Sequence, residues 1–369
     1  MYIKRFYHEA LGHASYLVGC SRTKEAILID PSRIVTPYLQ KCEELGFTLK
    51  GVAETHIHAD YVSGAMELWS EKGCTWYLFR EKNETASLTN QKILAHNDFF
   101  QIGNIRFDIL HTPGHTPEHI CYLVTDVMNP DVPVGLFSGD FLFVGDIGRP
   151  DLLEKVVGVT GNAWASAKKM FQSIHSIPNL PDYIQVWPSH GAGSLCGKAL
   201  GDLPSSTLGY ERRTNWAFQE TEETQFIKKL LQAQPEPPPY FAKMKRVNEL
   251  GPNLLKNIPV LSGALPISQL DHILDKEVRI VDTRDHLDYA TQYLTNTINI
   301  PFCKSFIQWA GWLLSDEAPL YLISKKEQVG ILKNELHLIC VDSIVGFFDV
   351  EDVFSGEIEY CSYSSIDVD

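Results

Sequence analysis

The stretch ETHIHADYVSG, residues 54–64, places His56, His58 and Asp60 at alternate positions. On extended backbone alternate side chains share a face, so these groups can turn toward one point. Three later segments bring further donors: His115 in HTPGHT, Asp140 in FSGDF and His190 in WPSHG. Pro113 and Gly114 bend the chain just ahead of His115, and Gly139 lets the backbone come close beside Asp140. Imidazole nitrogen with carboxylate oxygen suits zinc or iron, not calcium or magnesium. Isolated histidines such as His8, His96, His175, His272 and His337 carry no such implication, and neither would His190 by itself. The run Thr55, His56, His58, Asp60 differs, because four polar residues directly after an apolar strand have no packing rationale.

These donors need elements to hold them. LKGVAETHIHAD reads as a short apolar strand running into a polar loop, and GAMELWSEKG as the helix after it. ASYLVGC and EAILIDPS form a strand pair, and RIVTPYLQKCEELGF has helical spacing with a glycine stop. TWYLF, IRFDILHTPGHT, HICYLVTD, VGLFSGDFLF and YIQVWPSHG are strand-like, whereas TGNAWASAKKMFQSIHSI is helical. Polar residues thus gather just past strand C-termini, where α/β folds build their sites.

The chain has 369 residues, 44% hydrophobic, which predicts two domains. Its net charge of -14 offers no footprint for nucleic acid or an anionic membrane. An anionic small substrate would need local positive charge, from a metal or an arginine. No two of the eight cysteines stand in C-x-x-C spacing, so a structural zinc knuckle is not expected. No signal-peptide pattern and no apolar run of membrane-spanning length is present, and the expectation is a cytoplasmic protein with reduced thiols. The proline-rich stretch 236–261 reads as a linker between a domain at 1–235 and a second at 262–369.

THIHAD, HTPGHT, SGD and SHG, in that order, resemble the signature segments of the metallo-β-lactamase superfamily. The resemblance implies an αβ/βα sandwich with the site at one edge of two facing sheets. In two-metal members His56, His58 and His115 would hold one metal. Asp60, a histidine at position 61 and His190 would hold the other, with Asp140 bridging. Position 61 is tyrosine, and a phenol with a pKa near 10 is a poor ligand at neutral pH. The longer stretches ETHIHADYVSG and GDIGRPDLL resemble the persulfide dioxygenase branch, which uses a single iron. That resemblance implies one Fe(II) per subunit on His56, His115 and Asp140, with zinc an alternative in protein as purified. His58, Asp60, Tyr61 and His190 would surround these ligands and orient them.

The activity so implied is oxidation of the terminal sulfur of a low-molecular-weight thiol persulfide, such as glutathione persulfide, by O2 to sulfite and thiol, in sulfide detoxification. Its partners are that persulfide and O2, with no nucleic acid, no membrane and a homo-oligomeric assembly, a dimer or tetramer. The alternatives are a metal-dependent thioester hydrolase of the hydroxyacylglutathione hydrolase type, which needs two metals, and a non-enzymatic sulfur-binding protein. Arg149 in GDIGRPDLL is expected either to pair with Asp151 or to secure the loop that carries Asp140. Cys196, six residues past His190, is expected near the pocket, either inert or as a sulfur-carrying thiolate helped by Lys198. Tyr210, Arg212 and Arg213 are candidates for a substrate carboxylate. The residues after His190 depart from the HDY of the glutathione-dependent mitochondrial form, which leaves the thiol carrier open.

VRIVDTRDHLDYATQYLTNTINIPF resembles the opening of a rhodanese domain. Active rhodaneses carry a cysteine at the end of a later strand, where a loop of N–H groups cradles a persulfide anion. Here Ser324 stands there, followed by Lys325, Lys326 and Glu327. The expectation is a rhodanese-like domain without its active cysteine.

Overall fold

The computed structural model describes residues 1–80, 89–158, 161–177, 179–261, 263–274, 276, 278–314, 318–355 and 358–364. It divides into two compact units, Met1–Pro252 and Asn253–Asp369.

The first unit is built on two six-stranded sheets. One holds, in spatial order, β1 (Tyr2–His8), β2 (His13–Gly19), β3 (Glu25–Ile29), β4 (Thr48–Ala53), β5 (Thr75–Phe79) and β6 (Gln91–Leu94). β1 to β3 pair antiparallel and β3 to β6 parallel. The other sheet runs β12 (Ser206–Thr207), β11 (Gln185–Pro188), β10 (Pro133–Gly139), β9 (Ile120–Asp126), β8 (Ile105–His111) and β7 (Phe99–Ile102). Alternation along the strands explains why the sheets stack. Tyr16, Val18, Ile27 and Ile29 meet Phe107, Ile109, Tyr122 and Phe137 in one core between the sheets. The intervening Leu17, Leu28 and Val52 point outward and pack on Tyr38 and Cys42 of α1 (Thr36–Leu45) and Leu68 of α2 (Ala65–Lys72). On the opposite outer face Cys121, Leu136 and Val186 meet Met170 and Ile174 of α4 (Asn162–Ser176) and Phe226 and Leu230 of α7 (Glu223–Leu231). Short helices α3 (Leu152–Val157), α5 (Leu208–Thr214) and α6 (Trp216–Gln219) complete this layer. The result is the αβ/βα sandwich expected from the sequence. The glycine stop read after α1 is Gly46, at φ 64°.

One boundary is corrected. Residues 236–261 do not form an extended linker throughout, because α8 (Tyr240–Leu250) lies inside the first unit, which ends at Pro252. The proline run precedes the helix, and a proline at a helix N-terminus sacrifices no intrahelical hydrogen bond. Tyr240, Phe241, Met244 and Lys245 are buried along one face.

The second unit holds a four-stranded parallel sheet in the order β14 (Ile298–Asn299), β13 (Arg279–Asp282), β15 (Leu320–Ser324) and β16 (Ile344–Asp349). It carries helices α9 (Leu270–Leu274), α10 (His286–Thr291), α11 (Phe306–Leu313), α12 (Val329–Leu338) and α13 (Val350–Ser355). Buried Asp282 is bracketed by Arg284, whose Nε and Nη2 donate to it at 3.0 and 2.6 Å. Among the described residues no helix is long and apolar enough to cross a membrane.

Candidate metal centre

The loops after β4, β8, β10 and β11 bring His56, His115, Asp140 and His190 together. Donor atoms of His56, His115 and Asp140 all lie within 4.8 Å of one another, and all three residues are buried. The hydrogen bonds fix which atoms face inward. The Thr55 hydroxyl gives its one hydrogen to Asp30 Oδ2 at 2.8 Å, so at 2.9 Å it accepts from His56 Nδ1. His115 Nδ1 lies 2.8 Å from the Arg149 carbonyl oxygen, which can only accept. Both imidazoles therefore carry hydrogen on Nδ1 and leave the Nε2 lone pair open. These Nε2 atoms stand 3.8 and 3.4 Å from Asp140 Oδ2. That oxygen is buried and has no hydrogen-bond partner among the described residues.

Charge states agree with this geometry. Burial, and then the neighbouring His58, holds His56 well below the ordinary histidine range. Burial also lowers His115, with Asp140 opposing. Burial would raise the Asp140 carboxyl, but His190 outweighs it and keeps the group ionised. Two neutral imidazoles and a carboxylate converge on one point, with an orphaned oxygen between them. This donor set fits a divalent iron or zinc ion.

Around the triad sit the other expected residues. His190 spans two carboxylates, Nδ1 at 2.6 Å from Asp140 Oδ1 and Nε2 at 2.8 Å from Asp60 Oδ2. Burial disfavours its proton, but Asp140, Cys196 and Asp60 together raise its pKa well above the ordinary value. His58 Nε2 makes an ion-pair contact of 3.2 Å with Asp30 Oδ1, which outweighs desolvation and raises its pKa. Tyr61 is fully buried and donates to the Asp30 backbone oxygen at 3.2 Å. Burial, then Asp30, pushes its phenol well above 10. Arg149 satisfies the structural expectation, with Nε and Nη2 on Asp151 at 2.8 and 2.7 Å. Its carbonyl also aims His115, as noted above.

Of the two readings of Cys196 the inert one agrees with the structure, and two further expectations need correction. Cys196 lies with Asp60 and His190, its donor atom within 4.8 Å of theirs, but burial pushes its thiol up to about 12. Lys198 does not assist it, because its ammonium donates to the carbonyls of Lys229 and Gln232 at 2.6 and 3.0 Å. Arg212 and Arg213 turn to Asp182, at 2.9 and 3.5 Å, on an exposed face with Tyr210 rather than toward the triad. The polar groups of α5 that do enter the interior belong to Glu211, which accepts from Gly145 N and Asn215 Nδ2 at 2.9 Å each.

The sequence reading missed four groups. Asp30 organises the floor, accepting from Thr55 N at 2.7 Å and Ser189 Oγ at 2.6 Å. His119 accepts from the Asp140 backbone N–H at 3.0 Å and meets Thr112 Oγ1 at 2.8 Å. Burial and His115 lower its pKa to about 3, so it stays neutral. His13 stacks on Tyr61 with centroids 4.0 Å apart. Asn248 of α8 clamps the metal loop: Nδ2 donates to His58 O and Tyr61 O at 2.8 Å each, and Oδ1 accepts from Ser63 N at 2.9 Å. Only the Asp-Pro turn at residues 30–31 and the second histidine of HTPEH signalled any of these. A cavity of about 190 Å³ opens beside His56, lined in part by Glu54, Trp76, Phe79, Glu118 and Asn248.

Comparison with known proteins agrees with this frame. The metallo-beta-lactamase superfamily profile matches residues 8–190. The crystal structure of a metallo-beta-lactamase from Staphylococcus aureus subsp. aureus COL is 42% identical, with TM-score 0.84, over 95% of this chain and 99% of that one. The crystal structure of ETHE1 from Myxococcus xanthus is 26% identical, with TM-score 0.55, over 67% of this chain and 98% of that one. A hydroxyacylglutathione hydrolase of Rhodospirillum rubrum is 32% identical over 155 residues, 42% of this chain and 56% of the relative. With its two facing sheets, the convergence of His56, His115 and Asp140 and these likenesses, the chain belongs to the metallo-β-lactamase superfamily.

Proposed function

We propose that the chain is a persulfide dioxygenase, converting a low-molecular-weight thiol persulfide and O2 to sulfite and thiol at one non-haem Fe(II). The observation that carries this reading is Tyr61. It stands where a second metal would take an imidazole, yet it is a buried, protonated phenol hydrogen-bonded to a backbone oxygen. His56, His115 and Asp140 would hold the iron. When bound, iron supplies adjacent open positions for O2 and an anionic sulfur.

The remaining residues orient and manage protons. Thr55 and the Arg149 carbonyl set the two imidazole tautomers, and His119 steadies the Asp140 backbone. The reaction RSS⁻ + O2 + H2O → RSH + SO3²⁻ + H⁺ consumes one water and releases one proton. His190, bonded at both nitrogens, is placed to pass that proton to Asp60. The cavity beside His56 would receive the carrier thiol. The second unit we read as a rhodanese-like domain that cannot carry sulfane sulfur, since Ser324 ends β15.

Anaerobic loading with Fe(II), then O2 uptake and sulfite assay with glutathione persulfide, tests the reading. Uptake with one iron per chain is expected, and its absence overturns the reading. A second reading, a two-metal thioester hydrolase, is favoured by one observation: Asp60, His190 and Cys196 also converge within 4.8 Å. Two zinc ions per chain with thioester cleavage would establish it instead.

A further inference from the structure

An anionic sulfur substrate entering a chain of net charge -14 needs a local cation. Most of the basic side chains near the metal loops are already engaged. Arg149 is held by Asp151, Arg212 and Arg213 by Asp182, and Lys198 by two backbone carbonyls. Lys245 is different. It is 9% exposed, and among the described residues no acidic side chain pairs with it. A lysine whose stem is this enclosed and whose ammonium has no acidic partner keeps that charge available to an anion.

Its position follows from the helix. Asn248, three residues on, grips His58 O, Tyr61 O and Ser63 N, which pins that face of α8 against the metal loop. Residues three apart share a helix face, so Lys245 is carried to the same side. Five residues earlier, Tyr240 is buried where the charges of Asp60 and His190 reach it. Phe241, Met244 and Lys245 are buried with it along one face of the helix. From Tyr240 to Asn248, then, α8 forms a wall of the metal centre.

We infer that Lys245 is a substrate-positioning residue, and that its unpaired ammonium binds the anionic sulfur group of the persulfide, and of the sulfite product, beside the metal. The inference rests on the dioxygenase reading above. It gives that site the positive charge which the sequence had suggested might come from an arginine.

The test uses the full-length iron-loaded chain and the variants Lys245→Met and Lys245→Arg. Sodium sulfite is titrated anaerobically by calorimetry, and turnover is measured with glutathione persulfide. For Lys245→Met, sulfite affinity should fall about tenfold or more, as for loss of a hydrogen bond to a charged group. KM should rise in step, with kcat within about twofold and iron content unchanged. Lys245→Arg, which keeps the charge, should retain most of the sulfite affinity. Equal sulfite affinity and KM in Lys245→Met and the parent would overturn the inference. So would a loss of iron or of folding shared by both variants, since Lys245 would then only support the fold. If the parent makes no sulfite, the dioxygenase reading fails, and the sulfite titration still decides the role of Lys245.

Discussion

At the end of β4 the first unit buries Thr55, His56, His58 and Asp60 and surrounds them with donors and acceptors from distant segments. At the end of β15 the second unit buries Ser324 alone. Its hydroxyl donates weakly to the adjacent Lys325 carbonyl at 3.3 Å, and the next N–H, of Lys326, goes to Asp349 at 3.1 Å. Both are C-terminal ends of parallel strands, the place where α/β folds build sites. Topology offered the same opportunity twice, and among the described residues only the first unit has the convergent side chains to use it. In the second, the polar residues of the DTR segment serve the fold. Arg284 clamps Asp282, reaches the Gln292 carbonyl at 2.7 Å and lies 3.4 Å over the Phe354 ring.

The sharpest way to break this contrast is to remove one ligand. Asp140→Ala should reduce bound iron and sulfite formation to background, whereas Ser324→Ala should leave both unchanged. Metal analysis and O2 uptake check this. Next in size is Gly139→Ala. A Cβ there would lie 2.5 Å from His119 Nε2 and 2.6 Å from Thr55 Oγ1, on a backbone at φ 53°. A loss of about 3 kcal/mol or more is expected in urea denaturation. Asn248→Ala removes three hydrogen bonds to the metal loop and should cost about 2–3 kcal/mol. Iron affinity in that variant should drop about tenfold, measured by competition with a chelator.

Acidification sharpens the contrast further. His119 is kept neutral in the fold, with a pKa near 3, whereas the unfolded chain takes up this proton below about 6.5. The unfolded state therefore binds more protons as pH falls, and stability is lost from about pH 6.5 downward. The slope from this residue is on the order of 1.4 kcal/mol per pH unit. His190 and His58 are favoured in the protonated form by the fold and act in the opposite sense. The informative comparison is thus metal-free parent against His119→Gln, which should show a shallower decline between pH 6 and 4. The smallest effect is expected from Ser324→Cys. It should shift stability by under about 0.5 kcal/mol and create no thiosulfate sulfurtransferase activity, because one thiol does not rebuild an anion cradle.

What the sequence revealed follows from how local each signal is. His56, His58, Asp60, His115, Asp140 and His190 sit in short, ordered motifs, and apolar runs such as ASYLVGC marked the strands. Asp30, His119 and Asn248 act through partners 25, 21 and 190 residues away, and spacing does not encode such distances. Lys245 and Asn248 lie in MKRVNEL, which in isolation looks like a solvated helix face, and the prolines before it looked like the start of an extended spacer. Arg212 and Arg213 failed as candidates for the opposite reason. A charged pair is conspicuous in sequence, but Asp182, its partner, is remote.

The clamp by Asn248 also bears on biosynthesis. His58 meets it across 190 residues of chain. At about 5–20 residues per second, translation needs roughly 10–40 seconds to span that interval. Throughout it the nascent protein displays imidazoles and carboxylates on a loop not yet fastened. A metal ion bound before α8 has emerged would meet a loop that Asn248 does not yet hold.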